Sequence, residues 1–439
     1  MSPSFLVLFR QRLSRRFSVA GGSLPVGFRA ALKLSAVLIA VLLIGIPASA
    51  QSVSRYKPKI RTITTFVRLD RALYRAQIAD ALRVLHTAKD EFTGAGYEVE
   101  TLRITTQPFS VITRGLSESQ AINFFRDLDK LAQQQGFTPA IGPAMIRDGD
   151  DPGQAELLAQ IIASTQTING FVVVADDSGL HLNGIREAAR VIKYLEEHTD
   201  KGEGNFRFAA AAFPPSNAPF YPVSSTTGQG RSFAIGLESA GIVNQAFSSA
   251  VGDLQTAGEQ LTNMLGVEAK QVEEMSRRIE KLTSWTYAGI DLTPVPLKDV
   301  SIGGAFETLL DGPIGSSGSL SVAYAITSAV RRIPVKQTGY SGLMLPVLED
   351  TVLARRWEAG RINRDALLSY SAVCSAGLDA IPLPGDVSER EIVSIISDVA
   401  SLAVKWHKPL SARLLPAPGR RVGEMTDFSS QYLVNIRIR

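Results

Sequence analysis

A single cysteine, Cys374, and four scattered histidines (His86, His181, His198 and His407) are the only thiol and imidazole groups in 439 residues. One thiol can form neither an intramolecular disulfide nor a thiolate metal cluster, and no His-x-x-x-His pair exists to seed a zinc site. Negative charge is missing at the start. No Asp or Glu precedes Asp70, whereas Arg10, Arg12, Arg15, Arg16, Arg29 and Lys33 fall in the first 50 residues. Without those six, 40 basic side chains face 42 acidic ones, so the formal charge of +4 becomes a net of −2. A nucleic-acid-binding body carries its positive charge on the folded domain, and that class of partner is excluded. Internal repeats and low-complexity stretches are absent as well.

What the start does contain is a leader in three parts. Residues 10–33 are basic, Leu34 to Ile46 form an uninterrupted apolar run, and Ala48-Ser49-Ala50 has the small-x-small form of a signal-peptidase site. That order predicts a secretory signal over residues 1–50, cleaved before Gln51, and hence a periplasmic or extracellular protein. Two other readings stay open. The Arg- and Ser-rich, acid-free residues 4–20 also suit an organelle presequence. The apolar run also suits a retained anchor, although it is shorter than the roughly 20 residues a span prefers. An uncleaved leader is the chain's one expected contact with a membrane.

Beyond a short polar linker, residues 51–58, the 45% hydrophobic and 20% charged composition is that of a globular body. Strand-like and helix-like periods then alternate. Ile60 to Val67 is β-branched and aromatic. Leu69, Leu73, Leu82, Leu85 and Phe92 follow on one helical face that stops at Gly94 and Gly96. Strands are predicted at Tyr97 to Thr105, Thr138 to Ile146, Gly170 to Ala175, Phe206 to Phe213, Ser232 to Leu237 and Leu378 to Leu383. Helices are predicted at Ser117 to Gln135, from Asp151-Pro152-Gly153, at Asn183 to His198, and as one long element at Ile242 to Leu282. Further helical stretches cover Leu320 to Val330, Asp365 to Val373 and Glu389 to Trp406. This alternation predicts an α/β fold with a mainly parallel sheet in one domain, residues 59–439, closed as a barrel or left open.

The candidate chemistry divides into four groups. Cys374 is a nucleophile candidate in a Ser/Ala/Gly-rich loop, against the plainer reading of a small buried hydrophobe. Gly315, Gly318 and Ser319 precede a helix start and suit an anion, against a simple entry turn. Asp176 and Asp291 end predicted strands, and Asp379 has no local structural duty. Carboxylates so placed suit acid–base work or oxygen ligation of a cation. Asp176 also fits a turn, and Asp386 fits a helix cap toward Glu389. Arg61 and Arg413 lie in predicted strands. A solvated face is the usual explanation, but turned inward the two suit a carboxylate or phosphate ligand. The proline-rich loop Pro214 to Phe220 suits a rigid wall or a plain surface loop.

The segment Ala372 to Asp386, AVCSAGLDAIPLPGD, resembles the Ala-Val-Cys-Ser-x-Gly-Leu-Asp…Pro-Gly-Asp signature of an uncharacterised bacterial and archaeal family described as pyruvate formate-lyase-like. Lys59 to Thr64, Pro215 to Phe220, Gly289 to Leu292, Ser341-Gly342…Pro346…Glu349-Asp350 and Arg413 to Gly423 are similar to that family's other blocks, in the same order. The resemblance spans about residues 59–425 and implies an α/β barrel. It also implies cytosolic relatives, from which the leader departs. Radical chemistry is not expected. Arg421-Val422-Gly423-Glu424-Met425 has its glycine one position early and lacks the aromatic that follows a radical glycine. Together these observations predict an extracytoplasmic enzyme acting on a small polar or anionic metabolite. Cys374, Asp379 and Asp291 would be its reacting groups, with Gly315, Gly318, Ser319, Asp176 and Arg61 holding the ligand. No motif calls for a metal or names a cofactor. A non-catalytic solute-binding protein and a homo-oligomeric scaffold are the alternatives.

Overall fold

Ten strands in one sheet organise the chain. A computed structural model describes residues 56–439 except Thr227, so the leader and most of the linker lie outside the described residues. The first half follows the strand–helix rhythm: β1 (Lys59–Val67), α1 (Tyr74–Gly94), β2 (Val99–Thr106), α2 (Phe109–Thr113), α3 (Glu118–Gln135), β3 (Thr138–Pro143), α4 (Gly153–Ala163), β4 (Asn169–Asp176), the short β5 (Gly179–Leu180), α5 (Leu182–His198) and, after a 3-10 segment Asp200–Arg207, β6 (Phe208–Ala212). The second half holds β7 (Ser232–Glu238), α6 (Ala240–Ser248), α7 (Leu254–Thr283), β8 (Thr286–Asp291), α8 (Ile302–Leu310), α9 (Ser319–Arg331), α10 (Thr351–Glu358), α11 (Arg364–Ser371), β9 (Gly377–Pro384), α12 (Glu389–Trp406) and β10 (Leu410–Ala417).

Local chemistry sets many of these limits. Ser117 and Gln120 form a reciprocal capping box at the start of α3, and Gly136 closes it in the left-handed conformation. The predicted long helix over Ile242 to Leu282 is instead two helices. The chain breaks at Ser249–Asp253, where Gly252 has φ +75°, its N–H donates to Leu309 O, and Asp253 caps α7 through Thr256 N. Likewise Ser388, rather than Asp386, caps α12. Leu73 ends up exposed ahead of α1, which buries Ile78, Leu82, Leu85 and Phe92. Among the described residues, no helix is long and apolar enough to cross a membrane.

The strand order is β8-β7-β1-β2-β3-β4-β6-β10-β9, with β5 paired to β4. The five central strands β1, β2, β3, β4 and β6 run parallel. β7 and β10 each join them antiparallel, and β8 and β9 run parallel to those two neighbours. Both edges of the sheet therefore run in the same direction. They are not paired to each other, but the segment between Gln337 and Pro346 makes a parallel bridge to each, through Ile290 of β8 and Asp379 of β9.

Alternation along the strands separates the two faces. Val172 and Val174 of β4 and Ala210 and Ala212 of β6 belong to the large core beneath the helices. Phe171, Val173, Ala209 and Ala211 point the other way, into a small separate cluster with Val223 and Tyr340. Helices cover one face, and the small cluster marks an interior on the other.

Candidate functional site

The inner face carries arginines where an apolar lining would be expected. A cavity of about 240 Å³ is bounded by Arg61, Arg103, Arg207 and Arg413, together with Thr101, Thr138, Asn169, Phe206, Tyr221, Glu349 and Tyr432. These come from β1, β2, β3, β4, β10, the two residues just before β6, the loop after it, the 3-10 turn Val347–Glu349 and the C-terminal segment. β1 and β10 lie five steps apart in the sheet, about 24 Å if it were flat. Their side chains share one cavity, so the sheet is strongly curved around it.

The four guanidinium groups are not equivalent. Arg61 donates to Glu100 at 2.5 Å, with Glu238 3.9 Å away. Despite the cost of burial, these carboxylates hold its pKa above the usual arginine value. Arg413 donates to Asp379 Oδ1 at 2.6 Å and to Glu349, and its pKa is raised in the same way. Two carboxylates share that one guanidinium, and burial raises Glu349 above the ordinary carboxylate range even against the charge of Arg413. Arg207 instead gives its protons to the carbonyls of Ile168 (3.0 Å) and Ile162 (2.9 Å).

Arg103 is the barest of the four. Like Arg207, it makes no ion pair among the described residues. It lies over the Tyr221 ring at 4.5 Å, makes one long contact of 3.4 Å to Pro219 O, and its buried Nε has no hydrogen-bond partner. Burial, with the neighbouring charge of Arg61, pushes its pKa down to about 10. Burial does the same to Arg207, also to about 10. Both remain cationic at neutral pH, held in place without a counter-charge in contact. That arrangement is costly unless an anion supplies one.

The aromatic groups fix these cations in space. Arg413 lies over Phe206 at 4.6 Å and Arg61 over Tyr432 at 5.4 Å. Tyr221 donates to Thr138 O at 3.2 Å, and burial raises its pKa so that it stays a neutral donor. The proline-rich loop is a wall of the site: Pro219 O accepts from Thr64 Oγ1 at 2.9 Å, which brings Phe220 and Tyr221 onto the cavity.

A second, much smaller chamber of about 30 Å³ adjoins the first and shares Phe220, Tyr221, Met344 and Arg413 with it. Asp379, Tyr340 and Ser411 line its far side.

With this geometry the relatives can be compared. The chain belongs to the family described as Uncharacterised ACR (DUF711), whose model matches residues 51–429. It is 29% identical over 368 residues to a UPF0210 protein of Pyrobaculum arsenaticum, covering 80% of this chain and 81% of that one. A UPF0210 protein of Carboxydothermus hydrogenoformans is 26% identical over 362 residues, 79% and 80% of the two chains. One from Clostridium beijerinckii is 26% identical over 402 residues, 85% and 88%.

The residues singled out in the sequence of this DUF711 member fall in different places. Arg61 lines the larger cavity and Asp379 the smaller. Asp291 is fully buried at the end of β8, and burial raises its pKa. Its oxygens accept from Thr293 N and Oγ1, Ser341 N (3.0 Å) and Tyr340 N (2.8 Å). It thereby fixes the backbone that carries Tyr340. Cys374 is 3% exposed in the main core, where burial pushes its thiol pKa up, and it lines neither cavity. Gly315 and Ser319 bond to each other, Gly315 N to Ser319 Oγ at 3.0 Å, and Gly318 caps α9, so the glycine loop closes on its own helix. A Cβ on Gly315 would lie 2.1 Å from Arg361 O, so the close approach there is to this chain's own backbone. Asp176 accepts from Ser178 N and Oγ and meets His181 at 3.1 Å, contacts that hold its pKa low despite partial burial.

Arg103, Arg207, Tyr221 and Tyr340 carried no mark in the sequence reading. One signal was there for Arg103. Thr101, Arg103 and Thr105 alternate with Leu102 and Ile104 along β2, and the apolar pair enters the helix-covered core. A polar stripe on the second face of an interior parallel strand marks a lined cavity rather than solvent.

Proposed function

We propose that this protein is an enzyme that captures a small organic anion in the arginine-lined cavity. The observation that carries this reading is Arg103: a cation with a buried, unpartnered Nε and no carboxylate in contact with it, on a cavity whose own carboxylate, Glu349, is taken by Arg413. The volume of about 240 Å³ suits a ligand of metabolite size, below the range of drug-sized pockets. Glu349 and Asp379 stand at the same cavity system and are the groups assigned to proton transfer. Cys374 lies in the core and takes a packing role in this reading. Export of the mature chain rests on the leader sequence.

A barrel closed around this cavity belongs to the same proposal. Three observations support closure: edge strands of like direction, parallel bridges from residues 337–346 to both, and a cavity shared by β1 and β10. The pyruvate formate-lyase-like resemblance points the same way, but fold alone carries no reaction.

The test is a thermal-shift and calorimetric panel of small carboxylates and phosphates on the wild type and Arg103→Met. A panel member is expected to raise the midpoint of the wild type, with affinity falling at least about 30-fold in the variant, as for loss of a buried charged partner. Equal affinity in the two proteins would sink the reading.

A further inference from the structure

The smaller chamber has chemistry of its own. Asp379 is 5% exposed, and its Oδ1 accepts from Arg413 Nε at 2.6 Å. Its other oxygen, Oδ2, is sealed from solvent and has no hydrogen-bond partner. The Tyr340 hydroxyl, toward Ser411 in the same chamber, is also buried without completing a hydrogen bond. An unmatched buried acceptor costs about 1–3 kcal/mol, more when charged, unless something donates to it. The chamber adjoins the arginine cavity across walls common to both, and its 30 Å³ accommodates a group of about one heavy atom.

We propose that this chamber receives a hydrogen-bond donor carried by the anion, so that the ligand is a hydroxy or amino acid anion or a hydroxyl-bearing phosphate ester. This rests on the anion reading of the larger cavity and narrows it. Arg103 and Arg207 take the charge, Asp379 Oδ2 accepts from the ligand's hydroxyl or ammonium, and Tyr340 completes the contact. Arg413 and Asp291 are positioning residues: the first holds Asp379 Oδ1, and the second holds the backbone N–H of Tyr340 at 2.8 Å. A site built to pair with a hydroxyl discriminates strongly against the analogue that lacks one, because its buried acceptor is then left unmatched.

The experiment is calorimetric titration of the full chain with matched probes: succinate against malate and aspartate, and propyl phosphate against glycerol 3-phosphate. The donor-bearing member of at least one set is expected to bind 30-fold or more tightly than its plain partner. Asp379→Asn is chosen because Arg413 Nε will hold the amide oxygen and turn its NH2 into the chamber, replacing an acceptor with a donor. This variant is expected to erase the preference, most of all for aspartate, so that the donor-bearing and plain members of each set bind alike. Tyr340→Phe removes only the hydroxyl, leaving Ser411 its bond to Ala376 O, and is expected to weaken only the donor-bearing probes by about 3- to 10-fold. It serves if the Asn variant does not fold. Equal affinities within every set, or a preference that survives both substitutions, overturns the chamber's role while leaving anion binding intact. No saturable binding by any of the five probes overturns the anion reading and this one with it.

Discussion

Arg103 and Arg413 lie on the same cavity and meet opposite fates, and the contrast shows what kind of residue each is. Arg413 is matched by two carboxylates and tied into the fold. Arg103 has only an aromatic ring and a distant carbonyl, so it lowers the stability of the empty protein. Arg103→Met is therefore expected to stabilise the unliganded chain by about 1 kcal/mol or more, read from urea midpoints, while losing ligand. Glu238 offers a second measurement. Burial and the charge of Glu100, against Arg61 and Lys59, push its pKa up to about 7 from an ordinary 4.5. The folded chain thus binds a proton there that the unfolded chain has released. Stability is expected to be full at the acid end of this window, to fall as pH climbs from about 4.5 to about 7, and to level off above. Glu238→Gln should flatten that slope in unfolding curves taken at pH 5 and pH 8. An unchanged slope would show that the carboxyl titrates normally in the folded state. Such residue-level facts were only half legible in the sequence. Arg61, Arg413 and Asp379 could be picked out as polar groups in strand segments. Which guanidinium is paired and which is bare depends on Glu100, Glu349 and Asp379 arriving from segments distant in sequence, and no spacing encodes that.

Elements were more legible than sites, for a local reason. β1 and β4 announce themselves as β-branched runs, and α3 carries both its cap and its glycine stop within its own residues. The α6–α7 break was not legible, because apolar spacing continues through it. The decision is made by Leu309, which accepts the Gly252 N–H from the end of a helix some fifty residues further on. Once the break exists, Asp253 is needed as a cap. Asp253→Ala is expected to lower the denaturant midpoint, whereas an alanine inside a single continuous helix would leave it unchanged or raise it slightly. Cys374 belongs to this scale too. Its loop reads as reactive because small polar residues surround it in sequence, yet the chain packs the sulfur inward between α11 and β9.

Across the whole molecule, the alternation in sequence conveyed a mainly parallel sheet but not its two reversals at β7 and β10, since strand direction leaves no periodic trace. The segment between Gln337 and Pro346 was likewise unread as part of the sheet, although it touches both edges. Its weak point is Gly339, with φ +66° and room for no Cβ: one built there would lie 2.1 Å from Asp291 Oδ2. Gly339→Ala is expected to cost about 1–3 kcal/mol in unfolding free energy and to weaken ligand capture by displacing Tyr340. Normal stability in that variant would mean that the segment does not hold the edges together. The cavity wall runs in sequence from Arg61 to Tyr432. Its contacts are therefore among the longest-range in the chain, and loop-closure entropy makes such contacts slow to form. No nascent fragment that stops short of β10 contains the pocket. On the anion reading proposed above, ligand capture would report that synthesis and folding have both finished, and a bound anion would retard unfolding by tying β2 and the residue before β6 to β9.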